Sequence, residues 1–507
     1  MDKKLSNVTE RFLRYVKVDT RSADGAESIP STQKQFNLAR MIEAEMKEIG
    51  LEDVRLDEHC YVYGFIPATD ASLPTLGFIA HMDTVEWAGE QSVNPRIVES
   101  YDGESIRLND SVTIDTAVFP YMKELKGQDL IVTDGTTVLG ADDKAGVAEI
   151  MTMAETLIKD KSIRHGRIAI GFTPDEEVGN GATLFDVKGF NADFAYTVDG
   201  GPIGEIEYEN FNAASAKVLV HGQNIHPGGA KDKMVNSIHV FEEFNALLPA
   251  FERPEHTEGY EGFFHLGSIE GSVEQTKASY IIRDHDMARF EARKELMRRA
   301  ADFINARYGE GTLELTLKDS YYNMKEKILP HMHLIETAKA AMEALDIVPE
   351  IVPIRGGTDG ARLSYMGLPC PNLCTGGYNF HGNKEFISIQ SLEKMCELLL
   401  EIVKKTYKEQ INTQKLSPFM GKVAANECEW PKGERLKETK SFELFPPQLR
   451  LRSAALPHAV APFWCCPNSA YSAVPLRGAI VSMGLRGSPG GLRGEIEIFP
   501  GPPAKRL

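Results

Sequence analysis

Leu139-Gly-Ala-Asp-Asp-Lys-Ala-Gly146 is the stretch on which the reading of the chain turns. It follows a polar loop, Thr133-Asp-Gly-Thr-Thr137. It opens a segment of helical period in which Val147, Ile150, Met151, Ala154, Leu157 and Ile158 share a face. Asp142 thus stands where loop becomes helix, on backbone that Gly140 and Gly146 leave free to approach a ligand. A carboxylate has two oxygens, so one aspartate can hold two metal ions about 3.5–4 Å apart. Asp142 is the candidate for that role. The competing reading is an N-cap, because an Asp-Asp pair at a helix start also satisfies amides and complements the dipole.

Further acidic and imidazole groups follow apolar runs that read as strands. His81-Met-Asp83 comes after Leu76–Ala80, and residues two apart on extended chain face the same way, so Asp83 can brace His81. Asp175-Glu176-Glu177 follows Arg167–Thr173; adjacent glutamates point apart, so one can bind metal while the other handles protons. Asp199 closes Ala192–Val198, and His381 lies in Phe380-His-Gly-Asn383. In an open α/β sheet the carboxyl ends of the strands share one edge, where sites form. His81, Asp142, Glu177, Asp199 and His381 then make a nitrogen and oxygen donor set suited to two Zn²⁺, with no cysteine needed. Each has a bland reading as a turn or surface residue; their joint occurrence beyond strands argues against it.

The organisation agrees. A first helix starts near Asn7, with Glu10 completing a capping pattern, and Phe36–Ile49 reads as a second. Buried-type strands alternating with helices indicate an α/β core with a largely parallel sheet flanked by helices over residues 1–208. From 209 to 321 the order changes to strand (212–221), helix (236–248), strands (263–271 and 275–284), helix (286–307) and strand (312–320). That is the split motif of an inserted ferredoxin-like α+β unit. The core resumes over 322–410 with helices His333–Leu345 and Ile389–Tyr407.

Residues 411–507 differ. They hold 12 of 27 Pro and 2 of 3 Trp, and thirteen basic residues against seven acidic, in a chain of net charge −17. Periodicity vanishes, so the expectation is a disordered, dispensable tail. The acidic balance argues against nucleic acid as a partner. No apolar run reaches the roughly 18 residues of a membrane span, and no secretion signal opens the chain. Seven scattered cysteines suit a reducing cytoplasm.

His81-Met-Asp83-Thr, Gly140-Ala-Asp142-Asp-Lys-Ala-Gly146, Thr173-Pro-Asp-Glu176-Glu177-Val-Gly179 and Val198-Asp199-Gly200 together resemble the di-zinc exopeptidase family that includes carboxypeptidase G and succinyl-diaminopimelate desuccinylase. Asn224-Ile-His226-Pro-Gly228, Ile354-Arg355-Gly-Gly-Thr-Asp-Gly-Ala361 and Thr375-Gly-Gly-Tyr-Asn-Phe-His381 point to its tripeptide aminopeptidase branch. The resemblance covers about residues 1–410. It implies that Asp142 bridges two zinc ions per subunit, His81 and Asp199 completing one site and Glu177 and His381 the other. By the same resemblance Glu176 is the general base, Asp83 orients His81, and the inserted unit is a lid that also dimerises. His226 would reach the partner subunit's site to polarise the scissile carbonyl, and Arg283 and Arg355 would hold the peptide's terminal carboxylate. The rival expectations are a related zinc amidohydrolase or deacylase of N-acyl amino acids, and a non-catalytic binding protein on the same fold.

Overall fold

The computed structural model describes residues 4–87, 89, 92–425, 475–476, 479–484 and 495–500. Residues 1–429 form one compact unit and 430–507 another. The first is built on an eight-stranded sheet whose order, by residues, is 52–56, 62–66, 168–173, 76–81, 194–200, 372–374, 205–207 and 350–351. Strands Ile168–Thr173, Leu76–His81, Phe194–Gly200 and Asn372–Cys374 run parallel at its centre. The hairpin Glu52–Leu56 and Val62–Ile66 adds antiparallel pairing at one edge, so the sheet is mixed. Leu76–His81 is buried at every position, as a strand covered on both faces must be.

Helix Ala141–Lys159 packs on the sheet and against helices Asn7–Tyr15 and Ile389–Ala425. Thirteen of its residues are buried, on more than the single face expected, because it lies between the sheet and those outer helices. Gly146 approaches strand Phe194–Gly200, not a ligand: a Cβ there would lie 2.0 Å from the Val198 carbonyl oxygen. The N-cap position of the first helix is Ser6, which makes no side-chain cap hydrogen bond, and the Asn7 side chain reaches across to Glu155.

The insertion is as expected. Strands Phe263–Gly271, Gln275–Asp284, Asn212–His221 and Leu313–Tyr321 form an antiparallel sheet in that spatial order. Helices Ser237–Ala246 and Met287–Tyr308 cover it around a separate core that includes Phe241, Phe244, Tyr280 and Phe290.

A second four-stranded sheet was not foreseen. It orders Gly377–Tyr378, Phe386–Ser388, Leu130–Val132 and Arg96–Val98. Strands of two and three residues carry too little alternation to register as a pattern. Their effect on the site is large, because they set the loop after Val132 beside the hairpin 379–385.

The expectation for 411–507 falls mostly outside the described residues. Among the described residues the last helix continues to Ala425. In the second unit, Pro475–Leu476, Ala479–Gly484 and Glu495–Pro500 pair as an antiparallel sheet. Composition favoured coil there, but short alternating runs such as Glu495-Ile-Glu-Ile-Phe499 supply strand period. Among the described residues no helix is long and apolar enough to cross a membrane.

Candidate active site

Three adjacent parallel strands end together. His81 is the last residue of one, Asp199 is the penultimate residue of its neighbour, and Glu176 and Glu177 occupy the turn after Thr173 on the other side. Asp142 arrives from the loop at the start of its helix, and His381 from the 379–385 hairpin at φ 60°. A positive φ is uncommon for a residue with a Cβ and marks a position fixed by its surroundings.

All five candidate donors converge. His81 Nε2 lies 2.8 Å from Asp142 Oδ1 and 3.3 Å from Asp199 Oδ1. His381 Nε2 lies 3.0 Å from Asp142 Oδ2 and 3.0 Å from Glu177 Oε2. The two oxygens of Asp142 thus face two different imidazoles, each with one further carboxylate. Donors about 2.0–2.2 Å from a tetrahedral ion sit roughly 3.3–3.5 Å from one another, close to these separations. Glu177 Oε1 is buried without a hydrogen-bond partner. The His81 side chain is 2% exposed and that of His381 57%, so the site opens on the His381 side.

The two adjacent aspartates make different contacts. Asp143, not Asp142, makes the cap-like contact: its Oδ1 accepts the Gly146 amide at 3.2 Å, and its Oδ2 accepts the His81 amide at 3.1 Å. Asp142 is left free to face the imidazoles. Asp83 also does more than expected. His81 Nδ1 is 3.0 Å from the Asp83 carbonyl oxygen and 3.3 Å from its carboxylate, which accepts the amides of Glu176 at 3.0 Å and Glu177 at 3.3 Å.

Electrostatics follow from crowding. Burial, then the charge of Asp199, pushes the Glu176 carboxyl well up; burial, then Asp142, moves Glu177 up to about 7. Asp142 is buried too, but hydrogen bonds from His381 and His81 overcome that and hold its carboxyl below the usual range. The same bonds to Asp142 and Glu177 raise His381 to about 11. Buried carboxylates that resist ionisation beside imidazoles form a cluster that divalent cations would neutralise. Donor chemistry, spacing and the unpartnered Glu177 oxygen all fit such ions.

Relatives with known assignments agree. Residues 208–312 match the peptidase dimerisation domain. Peptidase T of Alkaliphilus oremlandii is 55% identical over 404 residues, 79% of this chain and 99% of the relative. Peptidase T of Clostridium perfringens is 56% identical over 401 residues, with 79% and 99% covered. The chain belongs to the peptidase T family. It is an aminopeptidase. Among solved structures, aminopeptidase PepT of Bacillus cereus superposes with TM-score 0.64 at 25% identity, covering 79% of this chain and 98% of that one. A dinuclear metal-binding peptidase of Bacillus subtilis shares the fold, with TM-score 0.53 at 14% identity over 78% and 96%.

The aminopeptidase's cavity, of about 480 Å³, is lined by Glu176, Glu177 and His381 on one side and Arg283, Tyr321 and Arg355 on another. Arg283 donates from Nη1 to the Arg355 carbonyl oxygen at 2.8 Å and keeps a buried, unpartnered Nε. Arg355 spends its terminal nitrogens on the carbonyls of Thr257, Gly259 and Glu261, tying the core to the lid. His226 is not brought to the cavity of its own chain. It is exposed on a short turn of the lid, its Nδ1 accepting the Gly228 amide at 3.1 Å.

Sequence reasoning missed Glu385. Buried behind the site, it accepts the amides of Leu139 (2.7 Å), Gly140 (2.8 Å) and Asp142 (3.0 Å), and so holds the loop carrying Asp142. No motif separates this glutamate from the many on surfaces. Its position four residues after His381 was the available signal.

Proposed function

We propose that this aminopeptidase is a di-zinc enzyme that releases the N-terminal residue of tripeptides. The observation that carries the reading is Asp142, whose two oxygens each meet a different histidine. In this reading His81 and Asp199 complete one ion's donors, and Glu177 and His381 the other's. Two zinc ions, when bound, supply Lewis-acid polarisation of the scissile carbonyl and activation of a water.

The chain's own groups do the rest. Asp83 fixes the His81 ring through Nδ1, presenting Nε2 as a donor, and pins the Glu176–Glu177 turn through two amides. Glu176, made a stronger base by burial and neighbouring negative charge, removes a proton from the attacking water and delivers it to the leaving amine. In this reading Arg283, whose Nε is buried and unpartnered, faces the peptide's terminal carboxylate, and Arg355 joins it by exchanging its bonds to the Thr257, Gly259 and Glu261 carbonyls for the substrate. A guanidinium suits this better than an ammonium because it presents two parallel donors. Such a grip at one end and chemistry at the other measures peptide length. In the same reading His226 serves the site of a second subunit, so the working enzyme is a homodimer joined through the lid; the scattered cysteines support the cytoplasm as its compartment.

Metal analysis with a peptide panel tests this. Two zinc ions per chain are expected, with turnover abolished by chelator and restored by zinc, and tripeptides favoured over di- and tetrapeptides. Preferred release of acyl groups from N-acyl amino acids would instead establish the deacylase reading.

A further inference from the structure

An aminopeptidase must tell a free N-terminus from a blocked one. The α-ammonium lies two bonds from the scissile carbonyl carbon, so its reader has to line the same cavity as Glu176. A carboxylate not already committed is the natural partner.

The site's acids can be taken in turn. Asp142, Asp199 and Glu177 each meet a histidine. Asp83 and Asp143 brace His81 and backbone amides, and Glu385 holds the Asp142 loop. Glu176 handles the proton in the reading above. Asp359 remains. It is 7% exposed, lines the cavity together with Glu176, and its Oδ2 is buried with no hydrogen-bond partner.

Asp359 is also held in place. It opens helix Asp359–Tyr365, whose cap is the Thr358 hydroxyl. The turn after Glu177 presses on it: a Cβ at Gly181 would lie 2.3 Å from either carboxylate oxygen. A buried carboxylate with one oxygen unpartnered is costly until a cation completes it. Arg283, Arg355 and Arg362 line the same cavity, so it carries both signs of charge, as a zwitterionic peptide does.

We infer that Asp359 binds the free α-ammonium of the peptide and sets the enzyme's preference for an unblocked N-terminus. Asp359 is then a specificity residue, and the inference rests on the aminopeptidase reading of this cavity.

Calorimetric titration of zinc-loaded Glu176→Gln protein, which holds peptide without turning it over, is the direct test. The ligands are trialanine and its des-amino analogue, propionyl-dialanine. Adding Asp359→Asn should weaken trialanine by about 30-fold or more, the scale of a lost buried charge partner, and leave the analogue within about twofold. In the otherwise native enzyme the same change should collapse the kcat/KM ratio between free and N-acetylated tripeptide, mainly through KM. Asp359→Glu, which keeps the charge, should restore part of the preference, and serves if the asparagine variant folds poorly. Equal weakening of both ligands would assign Asp359 a structural role, and no weakening would remove it from substrate binding. Either result overturns the inference. Failure of the native enzyme to cleave free tripeptides would overturn the aminopeptidase reading instead.

Discussion

Asp142 and Asp143 show how adjacent identical residues divide labour. The first turns both oxygens to imidazoles; the second turns its oxygens to amides. Asp142→Ala should therefore lose both ions, and elemental analysis would read close to zero zinc. Glu176→Ala should keep zinc and fold while turnover falls by at least the roughly 10²–10⁴-fold that positioned proton transfer supplies. Steady-state assays within a few-fold of the parent would remove Glu176 from its role. The convergence of the five candidate donors was legible because each sits in a local signature beyond an apolar run. Glu385 and Asp359 were not, because their importance arises from burial and from contacts with chain far away in sequence.

At the scale of elements, the long central strands and the lid were readable from alternation and helical period. The short strands that seat the His381 hairpin were not. Close packing of helix Ala141–Lys159 on its sheet gives a sharp expectation. Gly146→Ala would place a methyl 2.0 Å from the Val198 oxygen, so it should lower the thermal midpoint markedly and disturb Asp199 one residue on. The same helix ends in a network at Glu155, which Arg11 holds at 2.8 Å and Asn7 and Lys159 also contact. Partial burial opposes its ionisation, but those hydrogen bonds prevail and move its carboxyl down to about 2. A depressed pKa contributes stability that is present above the unfolded value, about 4.3, and lost as pH falls towards 2. Urea midpoints should thus drop more steeply between pH 5 and 3 for the parent than for Glu155→Gln.

For the whole molecule, the relatives' length is matched almost completely by about four-fifths of this chain. Enzyme ending at Ala425, where the last helix stops, should therefore retain tripeptide turnover within about twofold, and light scattering should give a mass of two chains for either form. A clear loss would show that the segment beyond contributes to the aminopeptidase. Composition alone marked that segment as different but could not foresee its small sheet, since pairing depends on register and not on content.

The grip of Glu385 on Leu139, Gly140 and Asp142 spans 243 to 246 residues of sequence. During synthesis the chain emerges N-terminus first. The Asp142 loop has left the ribosome long before its anchor exists, and for that interval water meets the three amides instead of Glu385. A nascent product that stops short of residue 381 lacks one of the five candidate donors, and one that stops short of 385 lacks the anchor of the Asp142 loop.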